Sequence, residues 1–323
     1  MTANTTELRQ VPNTNDSRHQ VIAGTRPRRS SSAGDVVLSY LRIQANALTS
    51  LEPMVRAGEP DSVHQMRVAT RRLRATLRSF GQVIAPADGD HLAGELRWLG
   101  HVLGAARDAE VLAWHLAETL RTIPVELLIG PVQARVQGHF APVGAAARTA
   151  LFEALDSPRY KALLAELDRL THEHPRGPRT ADPARDVLPA AVRRAYRRTK
   201  RRMRRARHAP AGTARDVALH RARKSARSAR YAAEAASPAA GKKAQKFAGQ
   251  MKKVQSVLGD HQDAVLARQA ARDLGVGAYL AGENAFTYGL LRDREDRQAS
   301  GLQADAGRVW RRASRRRYRR WMH

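Results

Sequence analysis

The stretch VHQMRVATRRLRATLRSF (63–80) contains one histidine, five arginines and no acidic residue. At about 100° per residue, His64, Arg67, Arg71, Arg74 and Arg78 fall within roughly 80° of one another. Met66, Leu73, Leu77 and Phe80 gather on the other side, which is the core-facing stripe of an amphipathic helix. The spacing predicts a helix with one apolar and one wholly basic face, entered through Asp61 and Ser62 as capping residues.

An ordinary surface helix sets acids three or four positions from bases, each pair contributing about 0.2–0.5 kcal/mol. Here Arg67–Arg71, Arg71–Arg74 and Arg74–Arg78 are like-charged neighbours, so the bare strip gives up roughly 1 kcal/mol. An anion lying on it reverses the sign. Asp108 and Asp263 are expected to neutralise such strips in part from neighbouring helices.

The strip occurs twice. VHQMRVATRRLRATLR (63–78) aligns with LHRARKSARSARYAAE (219–234), matching His64, Arg67, Arg71 and Arg74 to His220, Arg223, Arg227 and Arg230. VLGAARDAEVL (102–112) aligns with VLGDHQDAVLA (257–267) at nearly the same offset of 155 residues, matching Gly104 to Gly259 and Asp108 to Asp263. Two blocks in the same order at nearly the same offset imply two similar halves. Ala222, Ala229 and Ala233 take the buried side in the second copy.

The remaining pattern is helical, rich in Ala, Leu and Arg, and no segment reads as a strand. Helices are expected at about 90–122, 124–155, 187–208, 213–236, 241–273 and 277–300, with a last one ending in RVWRRASRRRYRRWMH (308–323). Residues 1–33 lack hydrophobic periodicity and are expected to form a disordered basic tail. THEHPRGPRTADPARD (171–186) concentrates Pro, Gly and short polar residues and reads as a linker between halves at 34–170 and 187–323. The fold class is therefore all-α.

Charge narrows the partners. The chain of 323 residues carries a net charge of +27, and the excess is lopsided. Residues 1–180 hold 22 basic and 18 acidic residues, against 35 and 12 in 181–323. In PAAVRRAYRRTKRRMRRARH (189–208) the face opposite the apolar stripe is almost entirely Arg and Lys, including Arg197, Lys200, Arg201 and Arg204. Lys246, Lys252 and Lys253 precede the second Leu-Gly block, Lys252 aligning with Arg97, and Lys224 joins the second strip. A field of this size attracts polyanions within a Debye length of about 8–10 Å. The absence of cysteine removes thiolate chemistry and suits a reducing compartment. No apolar run reaches the roughly 20 residues of a spanning helix, so a cytoplasmic protein without a membrane partner is expected.

At these residues the sequence resembles the CHAD family, the conserved-histidine α-helical domain. The resemblance rests on His64-Arg67-Arg71-Arg74 followed by Leu103-Gly104-Asp108, and on His220-Arg223-Arg227-Arg230-Tyr231 followed by Leu258-Gly259-Asp263. It covers about residues 34–323. It implies two pseudo-symmetric four-helix bundles around a basic central cleft or pore, inorganic polyphosphate as ligand, and association with polyphosphate granules. Departures are Ser228 where the first copy has Arg72, and Ala226 where many relatives carry a base.

Polyphosphate offers charge and no bases, so its binder needs charge density and length. Arg supplies a planar fork and Lys a mobile point charge. Nucleic acid is the alternative, bound nonspecifically on the same surface. Single-strand binders interleave stacking aromatics, whereas Trp98, Trp114, Trp310 and Trp321 mostly fall in apolar stripes. No catalytic residue, cofactor or metal site is expected: DGDH (88–91), DRED (293–296) and HEH (172–174) read as caps, turns and surface charge, and H-E-x-x-H is absent. His64 and His220, on the basic side, are assigned to the phosphate site together with Arg67, Arg71, Arg74, Arg78, Arg97, Arg197, Lys200, Arg201, Arg204, Arg223, Lys224, Arg227, Arg230, Lys246, Lys252 and Lys253.

Overall fold

The computed structural model describes residues 31–173 and 177–323. Nearly all of the expected tail, and residues 174–176 of the linker, lie outside them. The last tail residues are ordered: the Ser32 hydroxyl accepts from Asp35 N at 3.1 Å, and the Asp35 carboxylate accepts from Ser32 N at 3.2 Å. This reciprocal capping box starts the first helix.

The helices are α1 (Ala33–Arg56), α2 (Ser62–Ser79), α3 (Pro86–Arg121), α4 (Val132–Asp156), α5 (Pro158–His172), α6 (Ala184–His208), α7 (Thr213–Ala240), α8 (Lys242–Leu280) and α9 (Phe286–Ala313). No strand occurs among the described residues, and the fold is all-α. No helix among them is long and apolar enough to cross a membrane. Moving α1–α4 forward by 155 residues lands on α6–α9 one for one. In both sets the histidine-bearing helix packs between its two chain neighbours, α2 against α1 and α3, and α7 against α6 and α8. The first half adds α5, where the second has only short 3-10 turns at Arg316–Tyr318 and Arg320–Met322.

Several boundaries differ from expectation for local reasons. The fifth helix was legible in Ser157-Pro158: Ser157 Oγ accepts from Tyr160 N at 3.2 Å, and proline suits the first helical position. Asp61 does not cap α2; it sits at φ 63° with no side-chain bond, and Ser62 Oγ donates to Glu59 O at 2.7 Å. The helix expected from 124 begins at Val132, after a 3-10 turn at Val125–Leu127 and Pro131. The break expected at 274–276 is absent. Gly275 lies where α8 presses on α9, and a Cβ there would come within 2.9 Å of Tyr288 Cβ. That glycine serves close packing, and the turn falls at Gly282 instead, with φ 75°. The terminal segment is no separate helix: α9 continues to Ala313 and then breaks into the 3-10 turns.

One core runs through both halves, from Leu41, Leu48, Met66 and Leu73 to Ala226, Ala229, Phe247 and Met251. Small alanines on the inner face of α7 let neighbouring helices approach closely. A second cluster, including Leu116, Phe140, Leu274, Tyr288 and Leu291, joins the far ends of α3, α4, α8 and α9. Before α6, Gly177 N and Arg179 N donate to Val83 O and Gln82 O at 3.1 and 2.9 Å, while Ala33 N donates to Asp182 O at 2.8 Å. These bonds tie the inter-half segment to the start of α1 and the end of α2.

Candidate functional site

The histidine helices α2 and α7 pack against each other and line one cleft of about 4110 Å³. His64, Arg67, Arg71, Arg74 and Arg78 reach it from α2, and His220, Arg223, Lys224, Arg227 and Arg230 from α7. Arg97 on α3 and Lys252 on α8, aligned in the repeat, line it as well. Among the described residues eighteen Arg or Lys and nine Asp or Glu form its walls, so this lining is strongly positive.

The arginines are not equivalent. Arg67 forks onto Asp108, with bonds of 2.6 and 3.4 Å. Its guanidinium lies against Gly104, as Arg223 lies against Gly259. Arg230 Nε donates to Glu234 at 2.6 Å, and Arg72 Nε, from the other half, donates to the second oxygen of the same carboxylate at 3.1 Å. Both guanidiniums stand over the Tyr231 ring, at 5.6 and 5.7 Å. Glu234 thus joins the halves and takes Arg230 out of the free charge.

Arg71, Arg74, Arg78, Arg97, Arg223, Lys224 and Arg227 form no ion pair among the described residues. Burial, and then Arg71, depress the Arg227 pKa; burial leads for Arg71 too, with Arg67 and Arg223 acting in the same direction. Arg74 and Lys224 are likewise depressed, by burial first and then by neighbouring cations. Desolvation leads in each case and neighbouring cations add to it, so the site disfavours its own positive charge. Among the described residues Arg71 Nε, Arg223 Nε, Arg107 Nε and His220 Nδ1 are buried without a hydrogen-bond partner. Buried donors of this kind are rare in native proteins and mark a place for an acceptor.

Burial, more than the neighbouring arginines, lowers the pKa of His64 and His220. Among the described residues Asp263 makes no ion pair, and burial raises its pKa, as it does that of Asp260. Among the described residues the expected neutralisation is made in contact by Asp108, while Arg223 acts on Asp263 through its charge.

Six of the assigned residues do not reach the cleft. Arg197, Lys200, Arg201 and Arg204 are exposed elsewhere on α6, which turns Arg194, Arg198 and Arg202 inward instead. Lys246 and Lys253 are exposed on α8, outside the lining. Arg42, Arg72, Arg107 and Arg221 line the cleft without having been singled out. Arg72 and Arg107 sit off the repeated motif, although Glu234, an acid inside a basic helix, was a legible sign of a partner. Trp98, Trp310 and Trp321 pack as expected, but Trp114 is 43% exposed and borders the cleft.

Among the described residues no three His, Asp or Glu side chains converge as a metal site. Asp296 pairs with Arg268, Asp293 with Arg297 at 2.6 Å, and His172 with Asp168 at 3.2 Å.

The chain is 36% identical over 276 residues to uncharacterized proteins of two Mycobacterium tuberculosis strains, an alignment covering 84% of this chain and 52% of theirs. It therefore spans about half the length of these curated relatives. A solved CHAD domain from the plant Ricinus communis superposes with a TM-score of 0.66 at 25% identity, covering 89% of this chain and 93% of that one. PptA from Streptomyces chartreusis shares the fold, with a TM-score of 0.73 at 21% identity over 87% of this chain and 100% of its own. The family model for the CHAD domain matches residues 39–272, which include both histidine helices and both Leu-Gly blocks, and the chain belongs to the CHAD domain family.

Proposed function

We propose that the cleft binds an extended inorganic polyphosphate chain, by charge and without catalysis. The observation that carries this reading is the group Arg71, Arg223 and Arg227, contributed by both halves and lacking any carboxylate partner among the described residues. A phosphate chain supplies the missing acceptors and removes the mutual repulsion of the guanidiniums. Each screened contact contributes about 0.2–1 kcal/mol, so about ten along the cleft reach the roughly 8 kcal/mol of micromolar affinity. Membership in the CHAD family supports the same ligand, and a cytoplasmic protein of this kind would collect on polyphosphate granules.

Titration with polyphosphates of defined length tests this, comparing wild type with Arg67→Ala/Arg71→Ala/Arg223→Ala/Arg227→Ala. The expected result is a loss of at least about 100-fold, or roughly 2.7 kcal/mol. RNA at matched phosphate concentration is the competitor. Tighter retention of RNA, using Trp114 as a stacking platform, or an unchanged affinity in the variant, overturns the assignment.

A further inference from the structure

Much of the excess charge of the second half lies outside the cleft. At about 100° per residue, Arg194, Arg198 and Arg202 form one flank of α6, while Lys200 and Arg204 follow Tyr196 around the other. The C-terminal turns pack on α6 and α8. Arg319 stands 5.7 Å over the Tyr196 ring, Trp321 meets Phe247 at 6.4 Å, and Trp310 stacks on Tyr196 at 5.9 Å. Arg319 Nε also donates to Ser314 O at 3.2 Å. An aromatic cluster thus holds a run of arginines in a fixed turn beside the outer flank of α6.

Arg197, Lys200, Arg204, Arg316 and Arg320 are all exposed, and none forms an ion pair among the described residues. The aromatics beneath them are engaged with one another, so the face offers bases nothing to stack on. What it offers is density of positive charge. That suits a polymer with one negative charge on every phosphoryl repeat better than one with a charge only once per nucleoside.

We propose that this outer face is a second polyphosphate-binding surface, weaker than the cleft and separate from it, so that one molecule holds two chains together. The inference rests on the polyphosphate reading of the cleft. Because its cations are exposed, the outer face is more easily screened, and bridging fails at lower salt than cleft binding. Linking two such sites on one body raises avidity for long chains without any new contact.

Short polyphosphate chains, half carrying a donor fluorophore and half an acceptor, report bridging as energy transfer when wild-type protein is added. Arg197→Ala/Lys200→Ala/Arg204→Ala/Arg316→Ala/Arg320→Ala is expected to lose most of the transfer while keeping single-chain affinity within about threefold, since only exposed charges outside the cleft change. The smaller Arg197→Ala/Lys200→Ala variant, with less scope to disturb the fold, is expected to shift in the same direction. Undiminished transfer in both variants overturns the proposal. So does loss of duplex DNA retention with intact polyphosphate bridging, which assigns the face to nucleic acid. Failure of the cleft reading shows separately, as unchanged single-chain affinity in Arg71→Ala/Arg227→Ala.

Discussion

The guanidinium of Arg67 lies 3.4 Å from the point where a side chain on Gly104 would begin. Gly104 and Asp108 are four residues apart on one face of α3, so Arg67 rests on the glycine while its fork reaches the carboxylate at 2.6 Å. The second copy repeats the close approach, Arg223 against Gly259 at 3.3 Å. The repeated glycines are seats for arginines.

Gly104→Ala and Gly259→Ala therefore set two effects against each other. Alanine favours a helix by up to about 1 kcal/mol over glycine, and the obstructed atoms belong to the movable end of a side chain. We expect melting temperatures equal to or above wild type, together with several-fold weaker polyphosphate binding as the arginines shift. Thermal melts and titrations on the same preparations check both.

Gly275→Ala is expected to behave oppositely. Its added Cβ meets Tyr288 Cβ, which is fixed by the backbone of α9. Overpacking of this kind costs about 1–3 kcal/mol. Denaturant unfolding reads the loss directly, and polyphosphate affinity at low temperature is expected to be unchanged.

Glu234→Gln separates stability from binding. The carboxylate holds Arg72 and Arg230 in a largely buried setting, with side chains only 13% and 12% exposed. Removing one partner of such a group costs about 3–5 kcal/mol when the charges stay buried. Stability is expected to fall by an amount of that order, while released Arg230 raises the affinity for polyphosphate. Paired melts and titrations test the opposite signs.

Binding is expected to strengthen as pH falls. His64 and His220 lie below their ordinary pKa in the free protein, so they are neutral at pH 7. Bound phosphate raises both, and affinity grows as pH drops from the bound-state value through the free one. Asp260 and Asp263, held above the usual carboxylate range, add to the trend at lower pH by losing negative charge. Titrations from pH 8 to about 5.5 in His64→Gln/His220→Gln should be flatter than wild type through the histidine range.

His115 contributes stability with the reverse pH signature of a carboxylate. Its Nε2 lies 2.9 Å from the fully buried Glu295, whose hydrogen bond raises the histidine pKa. That stability is fully present below the unfolded histidine value and is lost as pH rises through the folded one. His115→Gln is therefore expected to destabilise most at acidic pH, with the difference from wild type narrowing towards pH 8, as thermal melts across that range would show.

The sequence by itself determined the helical class, the doubling and the basic strips of α2 and α7. These follow from a period of 3.6 residues and a nearly constant offset along the chain, both readable without any tertiary contact. The place of each strip residue on its helix, opposite Met66 and Leu73 or Ala222 and Ala229, was legible for the same reason. On α6 the apolar stripe showed which side is buried, but bases occupy both flanks, and nothing local distinguishes Arg198 from Lys200. Only the packing of α6 beside α7 decided that Arg194, Arg198 and Arg202 face the cleft while Arg197, Lys200, Arg201 and Arg204 do not. Tertiary structure likewise decided that Glu234 serves arginines of both halves, because Arg72 and Glu234, 162 residues apart, meet only after the halves dock.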